Sequence, residues 1–215
     1  MHGRFLTLEG GEGAGKSTQA KWLAEALRAA GVDVLVTREP GGSAGGEAIR
    51  KLVVEGDADA WHPTTEALLF MTARYDHVET LIKPALELGT WVICDRFYDS
   101  TYMYQGIGKR VGTAWLNQLY AHLFANLAPD YTLLFDIAPE IGLARAAARR
   151  GNETRFEGMA LSFHQQLRQG FLARAQWEPQ RIRVLDASAS MDAVHAQVCA
   201  AVTARFGIPL KVQAI

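Results

Sequence analysis

A chain of 215 residues, 49% apolar and 21% charged, is long enough to bury one sizeable core and has the balance of an ordinary globular protein. Its 22 Lys and Arg against 23 Asp and Glu leave a net charge of −1, which argues against a general nucleic-acid binder. No apolar run approaches the ~20 residues of a membrane span, and Met1–Arg4 leads directly into a strand-like segment, so a cytoplasmic protein without a membrane partner is expected.

In chain order, short apolar or β-branched runs predict strands at Arg4–Glu9, Asp33–Thr37, Thr90–Asp95, Tyr131–Asp136 and Arg181–Asp186. Amphipathic stretches predict helices at Lys16–Ala30, Glu47–Glu55, Thr64–Leu88, Thr113–Leu127, Pro139–Arg149, Gly158–Gln176 and Met191–Phe206. Gly31 follows the first helix as a C′ glycine, Pro139 opens its helix, and Pro84 is expected to kink or split the long third one. This alternation predicts an α/β fold, a three-layer sandwich with a five-stranded parallel sheet and helices on both faces. Residues 1–207 are expected to form one domain and 208–215 a loose tail.

Cys94 and Cys199 lie in apolar stretches without CxxC spacing and are expected as buried, reduced thiols. The six histidines form no HxxxH or HExxH pattern, so no protein-built transition-metal site is expected.

Four of the predicted strands end in Glu9, Thr37, Asp95 or Asp136, and ligands in open α/β sheets bind beyond the carboxyl ends of strands. The first strand runs into Gly10-Gly11-Glu12-Gly13-Ala14-Gly15-Lys16-Ser17, which fits G-x-x-x-x-G-K-[ST] between a strand and a helix. Glycines there let successive N–H groups face phosphate oxygens, the helix N-terminus adds positive character, Lys16 reaches the β- and γ-phosphates, and Ser17 offers a hydroxyl to Mg²⁺. Thr18 follows in the first helical turn. ATP and Mg²⁺ are thereby implied.

A GTP-dependent switch needs a guanine-reading N-K-x-D segment, and the chain has none. Motor and transport ATPases usually carry an acidic pair where this chain has single acids, at Asp95 and Asp136. Asp95 is the better magnesium candidate, because Arg96 follows at once and a guanidinium can fork onto a phosphate. Phe70 and Arg74, four apart on one predicted helix, share a face that could stack and bond a base, although Phe70 taken alone reads more readily as core.

Several segments, in order, resemble the thymidylate kinases among the P-loop nucleoside monophosphate kinases. They are Leu8–Ser17; Thr37-Arg38-Glu39-Pro40-Gly41-Gly42; Phe70-Met71-Thr72-Ala73-Arg74; Asp95-Arg96-Phe97; Ser100–Gly106; and Arg149–Glu157, and the resemblance covers Phe5 to about Phe206. It implies ATP-dependent phosphorylation of dTMP to dTDP, with a homodimer as the family precedent. A deoxynucleoside kinase, with Glu9 or Asp95 as base, and a non-catalytic nucleotide sensor are the alternatives.

The resemblance also implies roles. Phe70 stacks on thymine, Arg74 bonds its edge, and Arg96 clamps the acceptor phosphate. Ser100, Thr101, Tyr104 and Gln105, expected in a loop, touch base and sugar, with Thr101 and Gln105 favoured for the base. Glu39 and Pro40 wall the acceptor site, Arg50 reaches its phosphate, and Glu12 faces the sugar 3′-hydroxyl. Phe97 stands where the family usually has Tyr or His and is assigned packing only. Some members carry an arginine where this chain has Gly13. The catalytic cation is then expected in a lid at about residues 149–157, from Arg149, Arg150 or Arg155, with Arg150 alternatively stacking on adenine.

Overall fold

The computed structural model describes residues 3–57, 59–124, 127–148 and 155–212. Five parallel strands, β1 (Phe5–Gly10), β2 (Val34–Arg38), β3 (Trp91–Asp95), β4 (Tyr131–Asp136) and β5 (Ile182–Asp186), form one sheet in the order β2-β3-β1-β4-β5. Parallel pairing requires crossovers, and helices supply them on both faces.

Side-chain alternation decides which face each residue serves. Leu6, Leu8, Ile93, Leu133 and Phe135 pack against Leu23 and Leu27 of α1 (Lys16–Ala29) and Val194 and Val198 of α9 (Met191–Phe206). On the opposite face Phe5, Val92 and Cys94 meet Met71 of α3 (Pro63–His77) and Phe124 of α6 (Thr113–Phe124). Leu134 there meets Phe163, Leu167 and Phe171 of α8 (Leu161–Trp177). Cys94 and Cys199 are buried free thiols. In register, Leu8 pairs with Asp95, and Arg38 pairs with Asp95 from the other side, so the strand ends converge on one edge.

Helix limits mostly shift by a few residues. α2 spans Ala44–Val54, with Ser43 Oγ accepting from Gly46 N at 3.1 Å as its N-cap, and α7 spans Pro139–Ala147. Gly31, at φ 81°, follows α1 and donates to Arg28 O at 2.9 Å.

The predicted third helix is divided: α3 ends at His77, a π-helical turn covers Val78–Ile82, and α4 (Lys83–Glu87) restarts with Pro84 in its first turn. Pro84 has no N–H to donate backwards, and the wide turn brings the chain past that missing bond.

The stretch expected as a loop around Ser100–Gln105 is helical instead. α5 (Tyr98–Thr101) continues into a π-helical segment, Tyr102–Gly108. Met103 is fully buried there, and a helix satisfies the backbone of so enclosed a segment where a loop could not. Residues 208–212 have no regular structure, yet Leu210 packs on the α1/α9 side and its N–H donates to Thr203 Oγ1 at 3.2 Å. Among the described residues no helix is long and apolar enough to cross a membrane.

Candidate active site

The loop between β1 and α1 closes with Gly15 in the left-handed region, φ 85°, a conformation that costs glycine little. Gly13, at φ 66°, approaches α7 so closely that a Cβ there would lie 1.9 Å from the carbonyl oxygen of Gly142. No side chain fits at position 13 without displacing α7.

Lys16 is buried, and its Nζ donates to Gly10 O at 3.1 Å and Gly11 O at 2.7 Å. Burial, with Arg96 adding to it, lowers Lys16 to about 8. Ser17 Oγ donates to Asp95 Oδ2, so the two predicted metal ligands meet across the strand edge. Asp95 Oδ1 is buried and has no hydrogen-bond partner among the described residues. An oxygen-only pair with one unsatisfied carboxylate oxygen suits a hard cation such as Mg²⁺.

Arg96 follows β3 with φ 67°, a strained conformation for a side-chain-bearing residue and one that clusters at functional sites. Its guanidinium donates to Gly10 O (2.9 Å), Ser100 Oγ (3.1 Å) and Glu12 Oε1 (3.0 Å), and lies 5.1 Å over the Tyr104 ring. The Tyr104 hydroxyl donates to the same Glu12 oxygen at 2.8 Å. Burial opposes the charge on Glu12, but Arg96 and Lys16 outweigh it and hold the carboxyl at about 2.

Glu9 takes a different part. Its Oε1 accepts from Phe97 N (2.9 Å) and Ser100 N (3.2 Å), and its Oε2 accepts from Ser100 Oγ (2.5 Å). Burial, then the nearby Asp99 charge, push it up to about 7. It holds the β3–α5 turn that aims Arg96.

Beyond Arg96 opens a cavity of about 120 Å³ lined by Glu12, Glu39, Pro40, Arg50, Phe70, Arg74, Arg96, Ser100, Thr101, Tyr104 and Gln105, all expected from the sequence. Arg74 is 2% exposed and held on several sides. Its Nε donates to Glu39 Oε2 at 2.6 Å, its Nη1 to Thr101 Oγ1 at 3.0 Å, and its charge lies 5.0 Å over the Phe97 ring. His77 Nδ1 meets Glu39 Oε1 at 3.0 Å and His77 Nε2 meets Thr37 Oγ1 at 2.8 Å. Glu39, His77 and Cys94 thus converge, with one Glu39 oxygen on Arg74 and the other on His77. Arg50 Nη1 donates to Pro40 O at 2.5 Å.

A protein-family model described as thymidylate kinase matches residues 8–198. The thymidylate kinase of Caulobacter vibrioides is 51% identical over 206 residues, covering 96% of this chain and 99% of the relative. That of Ruegeria pomeroyi is 54% identical over 196 residues, covering 91% and 92%. The chain belongs to the thymidylate kinase family. A crystal structure of the thymidylate kinase from Ehrlichia chaffeensis superposes with a TM-score of 0.77 at 30% identity, covering 94% of this chain and all of that one.

Arg155, expected in the lid, makes its described contacts with α2, α3 and the residue Asp57 between them. It is buried, with Nη2 on Glu66 Oε2 at 2.5 Å, Nη1 on Val53 O at 2.8 Å and Nε on Asp57 O at 2.8 Å. Arg149 and Arg150 lie outside the described residues.

Phe156, to which the sequence reading assigned no role, also lines the cavity, with its ring 5.4 Å from Tyr104 and 6.2 Å from Phe70. Its position after a run of charged and polar residues gave no apolar periodicity to find it by. Glu66 was missed too, although it stands four and eight positions before Phe70 and Arg74 on one helix face, a signal that could have found it.

Proposed function

We infer that the chain transfers the γ-phosphoryl group of ATP to the 5′-phosphate of dTMP, giving ADP and dTDP. One observation carries this: a phosphate-binding loop and an aromatic, arginine-edged cavity face each other across Arg96 on a single sheet edge.

In this reading Gly10 to Thr18 hold the donor phosphates through backbone N–H groups and Lys16. Ser17 and Asp95 would hold Mg²⁺, which when bound neutralises charge on the β- and γ-phosphoryl oxygens. Arg96 clamps the acceptor phosphate, whose oxygen attacks in line; its low basicity makes a strong general base unnecessary. Phe70 stacks on the base. Glu12, kept ionised, accepts the sugar 3′-hydroxyl on the oxygen that Arg96 and Tyr104 do not use. The remaining cation comes from Arg149 or Arg150, a reading supported by the absence of room at Gly13.

The deoxynucleoside kinase alternative needs a free base beside a 5′-hydroxyl. Both Glu9 oxygens are taken by Phe97 and Ser100, and Asp95, paired with Ser17, is assigned to the cation in this reading, which argues against it. A homodimer is supported by Leu68, Tyr75 and Trp115, exposed on α3 and α6, two helices in contact. Coupled ADP release separates the acceptors: turnover with dTMP and none with thymidine is expected, and the reverse would reject the assignment.

A further inference from the structure

Glu66 has no exposed surface, yet it is a carboxylate with three side-chain donors around it. The donors are divided. Oε2 receives Lys109 Nζ at 2.9 Å and Arg155 Nη2 at 2.5 Å, while Oε1 receives Gln105 Nε2 at 2.9 Å. Glu66 does not line the acceptor cavity, whereas Gln105 does. The amide nitrogen of Gln105 is therefore drawn through the wall, away from the ligand.

An amide side chain has two ends of opposite hydrogen-bonding character and nearly equal shape, and its orientation follows from its partners. A carboxylate bound to an arginine and a lysine accepts and does not donate. It can satisfy the NH₂ end of Gln105 and not the carbonyl end. Gln105 Oε1 makes no hydrogen bond among the described residues, and it is not among the buried unpartnered atoms, so it meets open space in the cavity its residue lines. Arg74 supplies the opposite character: its Nε and Nη1 are committed to Glu39 and Thr101, and its Nη2 has no partner among the described residues. One acceptor and one donor thus face a slot beside Phe70.

We propose that Glu66 is a specificity-determining positioning residue, which locks the Gln105 carbonyl toward the base so that the site takes 4-keto pyrimidines carrying an N3–H and rejects 4-amino pyrimidines. A ring with N3–H and O4 meets the acceptor and the donor. A ring with an unprotonated N3 and an exocyclic amine meets each with the wrong partner. Such mismatches leave buried polar groups unpaired, the strongest discrimination a binding site of this kind can make. Lys109 and Arg155 act one step further back, since both bind the other carboxylate oxygen.

The inference rests on the dTMP assignment above, and the test keeps the two apart. Steady-state kcat/KM is measured for dTMP, dUMP and dCMP in the wild type and in Glu66→Gln, with dCMP read as a competitive inhibition constant where turnover is too slow. A glutamine at 66 can accept from the Gln105 amine or donate to its carbonyl, so the lock is released. The dTMP-to-dCMP preference is expected to fall about tenfold or more, with KM for dTMP rising more than kcat falls. The dTMP-to-dUMP preference should not move, because those bases share the same N3–H and O4. Lys109→Met, which spares the Oε1 contact, should keep the dTMP-to-dCMP preference.

If Glu66→Gln weakens all three acceptors in parallel, or Lys109→Met lowers the preference as much, Glu66 is a structural node and the proposal is overturned. Should Glu66→Gln fail to fold, Gln105→Met decides, since it removes the reading group itself. An unchanged preference there also overturns the proposal. Absence of dTMP turnover in the wild type would instead refute the underlying assignment.

Discussion

The phosphate loop and the acceptor cavity share Arg96 and Glu12 but are built in different ways. The loop is one run of residues, Gly10–Ser17, and works largely through backbone N–H groups and three glycines at positive φ. The cavity gathers side chains from Glu12 to Glu157 and fixes three of them through a partner carboxylate: Arg74 through Glu39, Gln105 through Glu66, Arg96 through Glu12. The difference teaches that phosphate binding here is a local property of the chain, while acceptor choice depends on its tertiary fold.

The largest expected effect falls on the loop. Lys16→Ala should lower turnover by about a thousandfold or more, because transfer relies on cations around the spreading charge. By calorimetry, dTMP affinity should stay within about tenfold of wild type, since the cavity is held by other residues. A loss of dTMP affinity as large as the loss of rate would dissolve the distinction between the regions.

Next comes Arg155→Ala. Removing one partner of a buried ion pair costs about 3–5 kcal/mol, less here because Lys109 still faces Glu66. Denaturant unfolding should show a destabilised protein whose folded fraction keeps a kcat near wild type but a raised KM for dTMP. A fall in kcat of about a thousandfold without loss of stability would return Arg155 to a catalytic lid.

How legible these regions were from sequence follows the same division. The β1–loop–α1 unit, the Asp95-Arg96 pair and the limits Met191–Phe206 were readable because each is encoded by neighbours. Phe70 and Arg74 were readable through helical spacing. Arg155 was not: in a polar stretch it resembles a surface charge, and its burial depends on Glu66, 89 positions earlier. The Tyr98–Gly108 stretch likewise looks like turn chemistry, because its Ser, Thr and Gly favour turns locally, whereas burial of Met103 and Tyr104 favours a helix.

Smaller effects sharpen the contrast through pH. Lys16, lowered to about 8 by burial and by Arg96, loses its charge above that value in the free protein. The profile of kcat/KM for ATP should therefore fall above pH ~8, while that for dTMP binding stays flatter. Equal profiles would show that Lys16 serves both regions alike.

The smallest expected effect concerns Glu9. Its folded value, about 7, lies above the ordinary 4.5, so the native state binds the extra proton between these values. Its contribution to stability is full below about 4.5 and is lost as pH rises through about 7. Thermal melts of Glu9→Gln should gain on wild type between about pH 5 and about pH 8. A constant difference would contradict this.

The central claim is the reaction itself, and ³¹P NMR of the chain with ATP, Mg²⁺ and dTMP tests it most directly. The β-phosphoryl signal of dTDP should grow one for one with ADP, without inorganic phosphate. Inorganic phosphate in place of dTDP, or no change in the dTMP signal, would contradict it.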